Sequence, residues 1–255
     1  MKVRMYNVGF GDCFCLRDRK KSLLVDFGTN NSRIEGHPRR EIFDVIISDL
    51  STIKSKNLLL THFHMDHLSG LLYMMKKKDI SVDFGKIYLP DVFSKKEMSR
   101  TLVLLLLADL LKESGLPSRQ VSLFALVDAL LENKQNVELL SRGKLFENKY
   151  QALWPDTDVI RKETDEVYNR ICEDGKFKEV MDVLLEFAEK LRLIVWSMTA
   201  EGNKPAETVE KETDSTASEL TEQPEVRQKI IRAYVYEREF RRIKALPDLR
   251  NCWHG

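Results

Sequence analysis

A chain of 255 residues in which 43% of the side chains are hydrophobic can bury the core of one large domain or two small ones. Its 41 basic and 40 acidic side chains leave a formal net charge of +1, which excludes a global electrostatic attraction to nucleic acid or membranes. The four cysteines lack zinc-knuckle spacing and no apolar run has the length of a membrane span or a signal peptide, so we expect reduced thiols, no membrane partner and a cytoplasmic protein.

The chain is predicted to begin with strands. Three short segments at 2–8, 13–18 and 22–28 are separated by glycine-bearing or charged turns, which predicts a β-meander. The segment 39–53 has the apolar spacing of a helix packed on a sheet. The apolar run at 57–61 is short and continuous, as is typical of a buried strand.

Helices and strands are then expected to alternate. The segment 68–79 has the pattern of a helix with a basic end, and 84–90 that of a strand closed by proline. Two helices are predicted at 95–115 and 117–134, with a break in Ser-Gly-Leu-Pro-Ser between them. The segment 136–155 has the pattern of two or three short strands around Arg-Gly-Lys.

The pattern changes after residue 155, where the supply of strands ends. Residues 156–200 have helical spacing with a break expected at Glu-Asp-Gly-Lys. The acidic, proline-bearing segment 201–226 almost lacks large apolar side chains and is predicted to be a disordered linker. Residues 227–255 are predicted to form an amphipathic helix and a terminus. For 156–255 as a whole, an insertion packed on the edge of the fold and an interaction module with a partner-binding helix remain open alternatives.

The sequence His-Phe-His-Met-Asp-His at 62–67 contains three of the five histidines of the chain. In an extended segment His62 and His64 point to the same side, because side chains alternate with a period of two, and they can share one ion. Asp66 and His67 follow where the chain turns into a helix, which shifts them towards a second ion. Imidazole with carboxylate favours zinc, with manganese or iron as alternatives, so His62, His64, Asp66 and His67 are predicted metal ligands.

This cluster resembles the signature of the metallo-β-lactamase superfamily, in which it follows a buried strand and opens a helix. The segments YNVGFGDCFCL and SLLVDFGTNN add to the resemblance and are similar to the subgroup containing the metallo-β-lactamase domain of DNA-uptake competence proteins. The likeness covers about residues 1–155. It implies that Asp12 and Asp26 stand behind the ligands or pin loops, with ordinary turn and strand-end aspartates as the alternative.

The resemblance implies an α/β fold, the αββα metallo-β-lactamase sandwich, of which only the N-terminal half with a helical C-terminal extension or insertion is apparent. It also implies a hydrolase with one or two zinc ions, in which metal-bound hydroxide attacks a phosphodiester or another ester and Asp66 both holds metal and orients the nucleophile. A nuclease or phosphodiesterase is favoured by the competence-type likeness. A thioesterase or lactonase is the alternative within this class, because the same chemistry attacks a carbonyl carbon.

The ligands that complete such a centre in the family are hard to place in this chain. After His67 the sequence has one further histidine, His254, and no Gly-Asp pair follows a hydrophobic strand. His37 lies in a polar loop, where it is expected to be a surface residue or a substrate contact. We therefore expect a complementing chain or a missing C-terminal half, and a catalytically incomplete member acting as a subunit or binding protein is the alternative function.

Overall fold

The computed structural model describes residues 1–18, 21–77, 83–112, 123–173, 175–200 and 202, without the side chains of 109–112, 176 and 179. The described residues divide into two compact units. The first comprises Met1–Asp91 and Ala108–Thr157, and the second comprises Val92–Leu107 and the chain from Asp158 onward. Every strand that the structure describes belongs to the first unit, as do the residues of the predicted site.

The strands are short, from two to five residues each. They are β1 (Lys2–Met5), β2 (Phe14–Asp18), β3 (Lys21–Val25), β4 (Arg33–Ile34), β5 (His37–Pro38), β6 (Ser55–Leu59), β7 (Ile87–Pro90), β8 (Val137–Leu140), β9 (Leu145–Phe146) and β10 (Tyr150–Gln151). Six of them form one sheet in the order β1-β2-β3-β6-β7-β8, whereas β4 pairs with β5 and β9 pairs with β10.

The sheet has an antiparallel half and a parallel half. Strands β1, β2 and β3 are antiparallel neighbours, which confirms the predicted meander. From β3 through β6 and β7 to β8 all pairings are parallel. Because the carboxyl ends of parallel strands meet at one edge, the residues that follow β3, β6, β7 and β8 lie along a common edge, where ligand sites of α/β sheets gather.

The helices follow the apolar spacing that the sequence shows. They are α1 (Arg39–Ser51), α2 (Met65–Lys76), α3 (Ser99–Lys112), α4 (Leu123–Glu132), α5 (Thr157–Glu173) and α6 (Gly175–Ser197), with a 3-10 turn at Lys96–Met98 before α3. In α1 the residues Phe43, Ile46, Ile47 and Leu50 are buried, which is the i, i+3, i+4, i+7 stripe of a helix lying on a sheet. The predicted α/β class is therefore confirmed.

The β9-β10 hairpin covers part of one face of the sheet. Leu23, Tyr88 and Leu140 of the sheet pack there with Phe146 and Ala152 of the hairpin segment. Glu147 in the hairpin turn accepts hydrogen bonds from the side chains of Asn57 and Tyr88, so polar contacts as well as apolar ones attach the hairpin to the sheet.

The second unit is helical in its described part. Arg100 forms an ion pair of 2.9 Å with Asp165 and stacks over Tyr168, and Thr101 shares a hydrogen bond with Thr164. The predicted break between two helices is confirmed, because α5 ends at Glu173 and α6 begins at Gly175. The predicted linker at 201–226, apart from Gly202, and the predicted helix and terminus at 227–255 lie outside the described residues.

Candidate metal centre

The histidine segment begins where β6 leaves the sheet. The sequence predicts a strand through Thr61, but β6 ends at Leu59. Leu60 still donates its backbone N–H to the Tyr88 carbonyl, whereas the N–H of Thr61 turns to the Asp26 carboxylate, at 2.8 Å from Oδ1. Helix α2 then starts at Met65 with His64 at its N-cap position. The chain therefore bends between His62 and His64, and the strict alternation of a strand does not apply there.

Three of the predicted ligands come together at this bend. One ligand atom from each of His62, Asp66 and His67 lies within 4.8 Å of the other two. The ring centroids of His62 and His67 are 3.7 Å apart, and Nε2 of His67 lies 3.7 Å from Oδ2 of Asp66. His64 lies beside this group, with its ring centroid 4.7 Å from that of His62 and nearly perpendicular to it.

Asp26 holds the bend and His67 together. This carboxylate is 2% exposed, and its backbone has a positive φ of 54°, which an aspartate tolerates better than most side chains. Its Oδ2 accepts hydrogen bonds from the Thr61 hydroxyl at 2.7 Å and from Nδ1 of His67 at 2.9 Å. A histidine whose Nδ1–H is bound to a carboxylate presents Nε2 as its lone-pair donor, the arrangement that orients ligands in metal sites.

The Thr61 hydroxyl orients the His62 ring in the same way as Asp26 orients His67. Its Oγ1 lies 3.0 Å from Nδ1 of His62 while it donates to Asp26. Since a hydroxyl that donates its proton to Asp26 is an acceptor towards the ring, His62 carries its proton on Nδ1 and also presents Nε2. Two imidazoles are thus fixed in the ligating tautomer through one buried carboxylate.

Asp12 approaches the same histidine from a neighbouring loop. Its Oδ2 lies 3.6 Å from Nδ1 of His67, and Asp12, Asp26 and His67 form a second set of ligand atoms within 4.8 Å of one another. The backbone N–H of Asp12 donates to the Asp66 carbonyl at 3.2 Å. Asp12 and Asp26, which the sequence indicated, therefore both lie near Nδ1 of His67. Their roles at a metal centre remain predictions.

The two histidine rings differ in their electrostatic setting. Burial lowers the pKa of His62, and the neighbouring His67 and His64 rings lower it further. For His67, burial also lowers the pKa, but the hydrogen bond that its ring donates to Asp26 and the charges of Asp26, Asp66 and Asp12 outweigh burial and leave the pKa raised. Three carboxylates around His67 thus stabilise positive charge at this point, whether it is carried by a proton or by a metal ion.

Two glycines allow the loops to close on the histidine turn. A Cβ on Gly28 would lie 2.6 Å from the backbone N of Leu68 and 2.7 Å from the carbonyl of Asp66. A Cβ on Gly11 would lie 2.3 Å from the Gly28 carbonyl oxygen. These loops approach the backbone of α2 too closely for any side chain, so glycine is required at both positions.

The sequence did not indicate three of the residues that build the site. Thr61 precedes the motif directly, yet its partner Asp26 is 35 positions away. Ser69 donates its hydroxyl to the Thr29 carbonyl and accepts the Thr29 N–H, which ties α2 to the loop after β3. Short polar side chains after a strand are frequent, so spacing alone does not distinguish these three from ordinary turn residues.

The remaining histidines do not join this group in the described part of the chain. His37 lies in β5, exposed, with its Nδ1 3.1 Å from Glu41, as expected for a surface residue. His254 lies outside the described residues. The structure describes Cys13, Cys15 and Cys172 as free thiols, in agreement with the reduced cysteines expected from the sequence.

The donor set suits a transition-metal ion. Imidazole nitrogens with a carboxylate oxygen are ligands that zinc, manganese and iron accept, and the two oriented rings remove the entropic cost of arranging them. The carboxylate behind His67 is the outer contact that such sites typically contain. The residues present therefore fit a divalent metal ion.

Comparisons with known proteins agree with this geometry. The family model described as Metallo-beta-lactamase superfamily matches residues 6–91, which include Asp12, Asp26 and the whole histidine segment. The N-terminal part of the chain is therefore similar to a metallo-beta-lactamase superfamily domain over these residues. This confirms the predicted superfamily resemblance over residues 6–91, a part of the predicted 1–155, and it agrees with the predicted fold class. The similarity to the competence-type subgroup stays a prediction.

The chain also has a relative among curated proteins. Endoribonuclease YSH1 of Mycosarcoma maydis is 32% identical over 77 residues, which is 30% of this chain and 8% of that protein. The match thus spans a small part of the relative's length. No solved structure gives a significant match. Among the described helices, none has the length and apolar character needed to cross a membrane.

Proposed function

We propose that the cluster of His62, His64, Asp66 and His67 binds zinc, as one or two ions, and that the protein hydrolyses phosphodiester bonds of nucleic acid. Manganese or iron would be accepted by the same donors. The observation that carries the proposal is the group of His62, Asp66 and His67, whose ligand atoms lie within 4.8 Å of one another. Both imidazoles are held by contacts at Nδ1, which leaves Nε2 of each ring as its lone-pair donor.

Zinc bound here would lower the pKa of a water molecule and polarise the ester. The chain's own residues supply the remaining functions. Asp66, whose side chain is 21% exposed, can accept a proton from an attacking water and hold it in line with the ester. Asp26, which is buried, keeps His67 in position and is shielded from that exchange.

A nucleic-acid substrate is the finer part of the proposal. It is supported by the likeness of the N-terminal segments to the competence-type subgroup and by the endoribonuclease relative. Thioesters and lactones are the alternative substrates, because they need the same nucleophile but carry no phosphate. A cytoplasmic location, where free thiols persist and nucleic acids are present, is also part of the proposal.

The test is hydrolysis of single-stranded RNA, single-stranded DNA and bis(p-nitrophenyl) phosphate by the full chain with added zinc or manganese and after chelation. Asp66→Asn should reduce kcat/KM by about 100-fold or more, since a ligand and proton acceptor is lost. Asp18→Asn is the matched control. Asp18 is a surface carboxylate that pairs with Lys149, and it lies at the end of β2 that is remote from Asp26 and the candidate centre. Activity that is equal in Asp66→Asn and wild type would contradict the proposal.

One observation favours a second function. After His67 the sequence contains a single histidine, His254, whereas a two-ion centre needs further ligands. In this alternative, residues 1–155 are the N-terminal half of a metallo-β-lactamase fold, 156–200 a helical extension, and the protein is a catalytically incomplete subunit completed by another chain or by a missing half. This alternative predicts weak zinc binding and no hydrolysis without that partner. The proposed hydrolase predicts zinc binding and hydrolysis by this chain alone.

A further inference from the structure

A pocket of about 360 Å³ opens beside the candidate metal centre. Its floor is formed by the carboxyl ends of three parallel strands, with Thr61 after β6, Pro90 of β7 and Leu140 of β8. Its other side is formed by Phe146 of β9 and by the segment that follows β10 and ends in Trp154. The volume lies in the range of small-molecule sites rather than of packing defects.

The pocket has no charged side chain among its lining residues. Apart from the Trp154 indole, its polar side chains are Thr61 and Gln151, and the rest of the lining is aliphatic or aromatic. It therefore has nothing with which to neutralise a phosphate, and it suits an uncharged, largely apolar part of a substrate.

Trp154 stands at the rim with 56% of its surface exposed. A large aromatic side chain left in water beside an apolar pocket is typical of a recognition site, because it offers a flat stacking surface at little cost in conformational entropy. Gln151 donates its Nε2 to the Gly143 carbonyl at 3.3 Å, and its Oε1 is the acceptor that a base amine would use.

Thr61 joins the pocket to the metal centre. It lines the pocket, and its Oγ1 lies 3.0 Å from Nδ1 of His62. A phosphodiester held at His62, Asp66 and His67 would therefore have the pocket as its neighbour on the Thr61 side. In a nucleotide, the group next to the phosphate and one sugar away is the base, which has apolar faces and a polar edge.

We propose that this pocket binds the nucleobase next to the scissile phosphate, with Trp154 stacking on the base and Gln151 contacting its edge. The inference rests on the proposed function, since it assigns a part of the nucleic-acid substrate. Stacking on an aromatic side chain is similar for all bases. We therefore expect the pocket to require a base without discriminating strongly among the bases.

The experiment compares ligands that differ only in the base. Dissociation constants of adenosine 5′-monophosphate and ribose 5-phosphate are measured by calorimetry on the full chain with zinc, for wild type, Trp154→Ala and Trp154→Phe. In wild type the base should tighten binding by about 5-fold to 150-fold, which corresponds to about 1–3 kcal/mol of stacking. In Trp154→Ala the two dissociation constants should become nearly equal. In Trp154→Phe most of the tighter binding that the base provides should remain.

Two controls separate folding and metal effects from the pocket. Leu145→Ala removes another exposed apolar side chain of the same hairpin that does not line the pocket, and it should leave the ratio unchanged. Adenosine and ribose compared in the presence of chelator report on the pocket without metal or phosphate. Loss of adenosine binding in Trp154→Ala, with no hydrolysis by wild type, would overturn the proposed function and support the pocket.

Two results would overturn the inference itself. The first is a wild-type ratio near one, or a ratio that Trp154→Ala leaves unchanged while its melting temperature matches that of wild type. The second is binding of an aliphatic probe such as octanoate that depends on Trp154 when adenosine does not bind. That result would assign the pocket to an acyl group and favour carbonyl substrates.

Discussion

Asp26 is the residue on which the geometry of the candidate centre depends most. It accepts three hydrogen bonds, from the backbone and the hydroxyl of Thr61 and from Nδ1 of His67, while almost fully buried. A carboxylate with these partners fixes the tautomer and direction of both rings before any ion arrives. Metal affinity should therefore respond to Asp26 even though it need not touch the ion.

We predict that Asp26→Asn lowers zinc affinity by about 10-fold to 100-fold, the range expected when the residue behind a ligand is lost. The amide keeps the size of the side chain but removes the charge that stabilises the His67 proton on Nδ1. Titration calorimetry with zinc measures the change, and Asp18→Asn provides a surface control. Equal zinc affinity in Asp26→Asn and wild type would show that His67 is oriented by something else.

The Thr61 hydroxyl offers a second test at the residue scale. Thr61→Val keeps the shape of the side chain but removes the hydroxyl that links Asp26 to His62. It should lower zinc affinity by about 10-fold. Thr61→Ser retains the hydroxyl and should bind zinc as wild type does. If both variants lose affinity equally, the methyl group rather than the hydroxyl is the important part.

The sequence predicted the histidine ligands better than it predicted the residues that orient them. Three histidines and an aspartate within six residues indicate a metal site because histidine is rare in this chain. The close approach of His62 to both Asp66 and His67 could not be predicted. It depends on where β6 ends, and that is decided by Asp26, which takes the N–H of Thr61 away from the sheet. A long-range hydrogen bond of this kind leaves no periodic signal.

At the scale of elements, the loop after β3 is packed against the start of α2 through Gly28. We predict that Gly28→Ala destabilises the fold by about 1–3 kcal/mol, because its Cβ would overlap the backbone of Asp66 and Leu68, which cannot move like a side chain. Thermal unfolding measures it. Gly175→Ala, whose Cβ would meet nothing within 4 Å, should leave the melting temperature nearly unchanged.

The β9-β10 hairpin depends on Glu147. We predict that Glu147→Ala destabilises the protein by about 1–3 kcal/mol, since the Tyr88 hydroxyl and the Asn57 amide lose their partner in a half-buried environment. Urea unfolding measures the loss. Glu41→Ala, which removes an exposed contact with His37, should change stability by less than about 1 kcal/mol. An equal loss in both variants would show that the hairpin contact is not special.

Element types were more predictable than element ends. The apolar spacing that predicted a helix at 39–53 is the stripe that α1 buries, and the meander followed from its turns. Helix starts differed, because α3 begins at Ser99 where the sequence predicted a helix from residue 95, and the predicted end at 115 lies outside the described residues. The 3-10 turn at Lys96–Met98 precedes this helix, and the sequence pattern does not distinguish such a turn from a first helical turn.

At the scale of the whole molecule, the candidate metal centre and the neighbouring pocket lie at the same edge of the sheet. The loops after β3 and β6 supply Asp26 and the histidine segment, and the ends of β7 and β8 supply the floor of the neighbouring pocket. Because the net charge of the chain is close to zero, no long-range electrostatic attraction brings a polyanion to this edge. Under the proposed function, we expect the affinity for nucleic acid to come from the metal and the local pocket together.

The central claim is that this chain by itself holds a metal ion in the group of His62, Asp66 and His67. The most direct measurement is elemental analysis of the full chain after equilibrium dialysis against micromolar zinc. Wild type should retain at least about one equivalent, and the double variant His62→Ala/His67→Ala should retain little. Near two equivalents would favour the hydrolase over the incomplete subunit. Zinc retention that is the same in wild type and the double variant would contradict the account.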